Sequence, residues 1–240
     1  MFKFHSPLKP TLKRYWRIFY KQNNISTQRA LMYEALNNLK ISGRILDFGG
    51  GKKVNYSNLL NNWIINGIYE SVNISKEIEP TYLIDKNGKI PVQDESYDVV
   101  LSLNTFEHIY ESNSQISELY RVLKTGGIFL FSTPFLYKVH SCPEDFFRPT
   151  HSWWGKLLQE FNMSDIQIIP LVWDPVQSAL SILDDIKTIP LLFLIRKIIP
   201  IFGLIYSFVK SKKRNKYYEK SIGNDISNYA LGYVIIAKKK

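Results

Sequence analysis

The stretch RILDFGGGKKVNYS, residues 44–57, is an apolar run ending in an acid, followed by three glycines, two lysines and a helix-like segment. A strand that passes through a glycine turn into a helix can cradle a nucleotide, since glycine backbone approaches a ligand closely and the helix N-terminus attracts negative charge. The dinucleotide fingerprint fails because Val54 replaces its next glycine, and no GKS or GKT completes a Walker pattern. A plain tight turn is the alternative.

Strand-like and helix-like runs alternate along residues 25–172. Their spacing predicts helices over 32–39, 56–64 and 154–161, and another that a capping box at Ser112 and Gln115 begins and Gly126–Gly127 ends. The predicted strands are Ile45–Phe48, Ile68–Asn73, Thr81–Ile84, Ser96–Leu103, Gly127–Pro134 and Ile166–Val172. The alternation favours an α/β fold with a mostly parallel sheet and helices on both faces.

In such sheets the ligand lies beyond the carboxyl ends of the strands. That rule gathers several separate segments on one rim of the predicted sheet. They are Asp47–Lys53, Asn73, Asp85, Asn104–His108 and the loop after Thr133.

Three motifs occur in a fixed order: ILDFGGG, YDVVLSLNTFEHI and ELYRVLKTGGIFLFSTPF. Together they resemble the class I S-adenosylmethionine-dependent methyltransferases, most closely the type 11 methyltransferase domain family. The resemblance covers roughly residues 40–170, with a closing strand in YALGYVIIAKK. It implies a Rossmann-like, seven-stranded, mostly parallel sheet with an antiparallel last strand, and S-adenosyl-L-methionine as the cofactor.

The resemblance also implies which residues contact the cofactor. Asp47 matches the acid of the first motif, and Gly49, Gly50 and Gly51 form the turn beneath the methionine and ribose portion. Asn73 stands where the family usually has an acid for the ribose hydroxyls, so about 1 kcal/mol of charge-assisted hydrogen bonding is absent.

Further along the chain, Asp85 matches the position that meets the adenine amino group, and Asn104 to His108, including Glu107, lie beside the reactive sulfur. Lys53 replaces the last glycine of the motif. We expect Lys52 or Lys53 to attract the cofactor's carboxylate, with two solvated lysines as the alternative.

Methyl transfer to a sugar hydroxyl needs a base, and the loop after the fifth strand supplies candidates. His140 is the expected general base, Asp145 orients it, and His108 is the reserve base. Arg148 and Glu144 are expected to contact the substrate. The alternative is a surface loop held by Asp–Arg pairs. No metal is expected, because Cys142 is the single cysteine and the histidines are scattered.

The chain has 240 residues and a net charge of +10. We expect a basic segment over 1–24 and one methyltransferase domain over 25–240, with an apolar helical insertion at about 175–218. MFKFHSPLKP carries no predicted secretory signal. The apolar run 189–209 and the basic run 210–216 predict contact with an anionic membrane surface. A dimer interface and an active-site cap are the alternatives for the apolar run.

These observations predict a cytoplasmic methyltransferase, peripheral on the inner face of a membrane. Its expected acceptor is a sugar hydroxyl of a surface polysaccharide or lipid-linked glycan precursor. The alternatives are methylation of a lipid-soluble, quinone-like molecule and a non-catalytic cofactor-binding scaffold. Nucleic acid is a less favoured partner, because the base-stacking pattern of a single-strand platform is not evident.

Overall fold

The computed structural model describes residues 1–21, 25–37, 39–52, 64–86, 88–140, 144–182, 197–205 and 226–240. Four sequence predictions lie wholly or mostly outside these residues: the role of Lys53, the helix over 56–64, the apolar run 189–209 and the basic run 210–216. Cys142 also lies outside them. Ile64, which we assigned to that helix, is instead the first residue of a strand.

One mixed sheet organises the described chain. Its strands are β1 (Lys3–Phe4), β2 (Ile41–Phe48), β3 (Ile64–Asn73), β4 (Tyr82–Leu83), β5 (Tyr97–Leu103), β6 (Leu123–Pro134), β7 (Met163–Leu171) and β8 (Gly232–Lys239). Their order is β1-β7-β8-β6-β5-β2-β3-β4. All neighbours pair in parallel except that β8 runs antiparallel to both β6 and β7. The expected α/β sheet with an antiparallel last strand is confirmed, with β1 as an eighth strand.

Helices cover both faces of the sheet. They are α1 (Leu12–Tyr15), a π-helical turn (Trp16–Lys21), α2 (Thr27–Leu36), α3 (Ser112–Val122), α4 (His151–Glu160) and α5 (Pro175–Ile182). One core contains Phe106, Phe131 and Trp154, and the other contains Phe19 and Trp173. Short 3₁₀ turns at Lys76–Ile78, Phe106–His108 and Ile226–Tyr229 follow or precede strands.

The basic N-terminal segment packs on the second core. Arg14, in α1, donates to both carboxylate oxygens of Glu34 at 2.9 Å, and Arg17 pairs with the same carboxylate. Glu34 is buried, so this ion pair fixes α1 and the π-helical turn against α2.

Two details of the predicted helix boundaries were wrong. Glu111, not Ser112, is the N-cap of α3, and no side-chain capping bond forms there. The helix ends at Val122, before the two glycines, because Leu123 already pairs with β5. Gly126 has a φ of 76° and lies where the β5–β6 register shifts, so it serves a turn within β6.

Candidate functional site

The glycine turn, residues 49–51, follows β2 and is closely packed by the protein itself. Gly49 has a φ of 91°, which favours glycine. A Cβ at each of the three positions would lie under 3.0 Å from Thr105, Asp47 and Ile78, respectively. In the described chain, these neighbours exclude side chains from the turn.

Asp47 supports the turn from below. Its carboxylate is fully buried at the end of β2 and accepts a 2.6 Å hydrogen bond from the Tyr69 hydroxyl. Burial, together with the neighbouring Asp47 carboxylate, raises the pKa of Tyr69, so this hydroxyl keeps its proton and its donor role.

Asn73 holds the turn from the side. Its Nδ2 donates to the Gly49 carbonyl at 2.7 Å, and its Oδ1 accepts from the Ser75 amide at 3.0 Å. A carboxylate offers no donor for the carbonyl. The side chain that replaces the family's acid is therefore committed to the glycine turn.

Asn104 lies beside the turn, immediately after β5, with a φ of 54°. Its side-chain oxygen accepts from Gln28 of α2 and from Ser132 of β6, both at 3.1 Å. Thr105 donates to the Phe48 carbonyl at 3.3 Å, which joins this segment to the end of β2. Asp85 is exposed two residues beyond β4 on the same rim.

The two predicted bases lie together, although 32 residues separate them. His108 donates through Nδ1 to the Glu144 carbonyl. Asp145 accepts from the His140 amide at 2.8 Å, and its same oxygen lies 3.2 Å from His140 Nδ1. The two imidazole centroids are 5.0 Å apart, edge to face. Burial lowers the pKa of His140, opposed by the Asp145 carboxylate, and this favours a neutral ring.

The two predicted substrate contacts are engaged within the protein. Arg148 pairs with both carboxylate oxygens of Asp145 and also donates to the Lys138 carbonyl at 3.3 Å. The Glu144 carboxylate forms an exposed 2.9 Å ion pair with Lys86. Arg148 thus fixes the orientation of Asp145, and through it the position of His140.

Glu107 lies beneath the histidines. It is 1% exposed, and its Oε2 has no hydrogen-bond partner within the part of the chain that the structure describes. Burial raises the pKa of Glu107 to about 8, partly offset by a backbone hydrogen bond and by Arg148. Its Oε1 lies 3.8 Å from His108 Nε2. We predicted a contact with the cofactor for Glu107, and the fold places its carboxylate beside the histidine cluster.

An open cavity of about 570 Å³ adjoins this cluster. Its first lining residue, Tyr110, lies two residues after His108 in the sequence. Another lining residue, Phe146, donates its backbone amide to the Glu107 carbonyl at 2.8 Å, which links the cavity to the cluster. Its lining residues are Tyr110, Glu111, Ser112, Asn113, Ser114, Phe146, Phe147 and Trp153.

The structure thus brings together two groups at the sheet's carboxyl edge. One comprises the glycine turn with Asp47, Asn73 and Asn104; the other comprises the histidine cluster with Glu107, Glu144, Asp145 and Arg148. Thr105 connects them, since it packs on Gly49 and lies three residues before His108. Sequence reasoning missed Gln28 and Ile78, because neither lies in a recognisable motif.

Comparison with known proteins identifies a family match over part of the chain. Residues 46–131 match the family described as methyltransferase domain. A malonyl-[acyl-carrier protein] O-methyltransferase of Coxiella burnetii is 29% identical over 110 residues, and the match spans 42% of this chain and 39% of that protein.

Two solved structures share the fold. A phosphoethanolamine N-methyltransferase of Haemonchus contortus, in complex with S-adenosyl-L-methionine, has a TM-score of 0.53 at 17% identity, covering 95% of this chain and 56% of that one. The [4+2]-cyclase SpnF has a TM-score of 0.55 at 14% identity, covering 98% and 87%. The resemblance to the methyltransferase domain family is thereby confirmed for residues 46–131.

Proposed function

We propose that this protein is an S-adenosylmethionine-dependent methyltransferase that methylates a hydroxyl group. The observation that carries the proposal is the meeting, at one sheet edge, of the glycine turn with a histidine cluster joined to it by Thr105. The proposed cofactor site and the candidate base would thus lie on adjoining loops, as transfer between two bound molecules requires.

The residues at this edge fit an adenosyl cofactor. Asp85 offers an exposed carboxylate beyond β4, and the glycine turn gives a backbone without side chains. Asn73 acts indirectly, because it positions the turn. Lys52 forms an exposed 3.0 Å pair with Glu79 and would have to leave it to reach a carboxylate. When bound, the cofactor supplies an activated methyl group on a sulfonium.

The chain's own residues would align the acceptor and remove its proton. His140 takes the hydroxyl proton as general base, while Asp145 and Arg148 hold its ring in place. Loss of this proton would prepare the acceptor oxygen to take the methyl group that the bound cofactor would supply, with the bonding electron pair left on the cofactor's sulfur. His108 is the alternative base.

A sugar is the acceptor class that the adjoining cavity supports. Tyr110, Phe146 and Trp153 present exposed aromatic surface, and Glu111 and Asn113 add polar groups on the same lining. Flat apolar surface with a few polar groups suits a ring that has one apolar face and several hydroxyls. We propose a glycan precursor as the acceptor.

An exposed apolar surface supports attachment to a membrane. Trp16 is 52% exposed and stacks on Tyr20, and Phe202 is 63% exposed on the helical residues 197–205. The two surfaces meet where the Tyr15 hydroxyl donates to the Lys197 carbonyl at 2.8 Å. Residues 1–21 carry basic and no acidic side chains, which suits anionic headgroups. Among the described residues, no helix is long and apolar enough to cross a bilayer.

Two experiments test these proposals. Mass spectrometry of glycans should detect a methyl group (14 Da) in cells that contain the protein and not in cells that lack it. The same methyl group should be missing from cells that contain the His140→Ala variant. Flotation with anionic liposomes should carry the protein upward, and Trp16→Ala with Phe202→Ala should reduce this while Tyr110→Ala does not. Methyl transfer undiminished in His140→Ala would refute the assigned base.

The scaffold alternative is favoured by one observation: the Ile78 carbonyl would lie 2.5 Å from a Cβ at Gly51, so the protein itself occupies that side of the turn. A thermal-shift assay with S-adenosylmethionine and S-adenosylhomocysteine separates the two functions. Absence of any shift supports a scaffold without a working cofactor site, whereas stabilisation by both supports a cofactor site, and the methyl-transfer assay then decides between the enzyme and a cofactor-binding scaffold.

A further inference from the structure

We propose that Glu107, His108 and His140 form a binding site for a divalent transition-metal ion of the zinc type. One carboxylate oxygen and one ring nitrogen from each histidine all lie within 4.8 Å of one another. Two imidazoles and a carboxylate, with a fourth position open, make a ligand set that binds Zn²⁺ in a catalytic geometry. The sequence alone did not predict this ligand set, because His140 lies far from His108 in the chain.

The distances require only small side-chain movements. Ligand atoms around a tetrahedral Zn²⁺ lie roughly 3.4 Å apart, as bond lengths of about 2.1 Å dictate. His108 Nε2 and Glu107 Oε1, at 3.8 Å, are already close to that separation. The two histidines lie on separate loops, so the rings can approach without a change in the sheet.

Both imidazoles have the outer partners that metal-binding histidines need. The Glu144 carbonyl accepts from His108 Nδ1, which leaves the lone pair of that ring on the nitrogen nearest Glu107. Asp145 lies 3.2 Å from His140 Nδ1, as a carboxylate does when it orients a metal-bound ring. Arg148 pairs with Asp145 and neutralises it, so this carboxylate is not a competing ligand.

Glu107 provides an independent reason for a cation. It is 1% exposed, yet none of the described residues forms a hydrogen bond with its Oε2. A buried carboxylate without compensation is costly, and a bound cation removes that cost. The guanidinium contacts recorded for Arg148 are to Asp145, to the Phe147 and Lys138 carbonyls and, at 3.4 Å, to His140 Nδ1, and none of these is a contact with Glu107.

The catalytic consequence rests on the proposed function, whereas the binding itself does not. With an ion bound, His140 becomes a ligand, and the ion takes over the task of acidifying the acceptor hydroxyl. The open fourth position would then receive the acceptor oxygen, and the proton would pass to water.

The test uses the full-length chain, stripped of metal by a chelator, without cofactor or acceptor. Co²⁺ is added as a spectroscopic substitute, and Zn²⁺ affinity is measured by competition. Cys142→Ser is the background for all variants, because it removes the lone thiol as an unintended ligand. We expect one equivalent of Co²⁺ with visible absorption typical of four-coordinate nitrogen and oxygen ligation.

Separate substitutions His108→Gln and His140→Gln should each weaken binding by more than about 100-fold, and Asp145→Asn by about 10–100-fold. The matched control is His5→Gln, because His5 lies near the N-terminus and bonds to Gln167 instead of the cluster. This substitution should leave the metal affinity unchanged. Circular dichroism checks that each variant is folded. Failure of the parent protein to bind Co²⁺ or Zn²⁺, or equal affinity in the histidine variants, would overturn the site. Metal binding without methyl transfer would instead count against the proposed function alone.

Discussion

Asn73→Asp separates two interpretations of the glycine turn. The family resemblance places an acid here to bind the ribose, so restoring it should raise cofactor affinity by up to about tenfold. In the structure, Asn73 Nδ2 instead donates to the Gly49 carbonyl at 2.7 Å. An aspartate would remove that donor and set a carboxylate against the carbonyl oxygen. We therefore expect the substitution to destabilise the protein and weaken cofactor binding.

The magnitude follows from the contacts. Loss of the hydrogen bond costs about 1 kcal/mol, and leaving the part-buried Gly49 carbonyl without its donor brings the total to about 2 kcal/mol. For a protein of this size, each kcal/mol shifts Tm by about 2–4 °C. The expected decrease in Tm is thus about 4–8 °C.

Differential scanning calorimetry gives the stability change, and titration calorimetry with S-adenosylhomocysteine gives the affinity. Asn162→Asp is the control, since it introduces the same charge at an exposed asparagine away from the turn. A variant with unchanged Tm and tighter cofactor binding would show that position 73 faces the ribose and that our reasoning is wrong.

Three further substitutions test the packing around the site. Glu70→Gln should destabilise the protein by about 1 kcal/mol at pH 7, because Arg44 holds the pKa of Glu70 below its usual value. Urea titrations should show that this difference in stability vanishes as the pH falls through the lowered pKa, and a loss that does not depend on pH would contradict the prediction. Gly51→Ala should cost about 1–3 kcal/mol, measured by urea denaturation, since its methyl group would meet the Ile78 carbonyl; wild-type stability would disprove the tight packing. Phe106→Ala should cost about 3–5 kcal/mol in the same assay, as the ring is fully buried among aromatic side chains, and a loss below 1 kcal/mol would contradict the packing.

Hydrophobic periodicity predicted most of the fold, because strands and helices of this kind bury one continuous face. The run Tyr97–Leu103 is almost entirely buried, and its sequence contains little besides apolar residues. Periodicity did not reveal β1, since two residues have no period and Lys3–Phe4 is fixed only by pairing with β7. The end of α3 was misplaced for a similar reason: strand pairing at Leu123, a distant contact, outweighs the local signal of two glycines.

The candidate site was predictable in location and less so in detail. The rule for parallel sheets correctly gathered Asp47, Asn73 and Asn104 on one edge. It could not tell that the Asn73 side chain bonds to the glycine turn, because hydrogen-bond direction depends on atomic positions. Nor could it pair His108 with His140, whose approach depends on how the loop after β6 folds back.

The glycine turn and the histidine cluster differ in how their polar groups are satisfied. At the proposed cofactor site, Asp47 accepts from the Tyr69 hydroxyl and Asn73 donates to the Gly49 carbonyl, so recognition there would rest on the shape of the turn. On the histidine side, Glu107 Oε2 has no hydrogen-bond partner among the described residues, so charge-dependent chemistry would be concentrated there. A sulfonium methyl is already activated and needs mainly alignment, whereas an acceptor hydroxyl must lose a proton. A rigid turn beside a polar cluster would meet these two unequal demands of the proposed reaction.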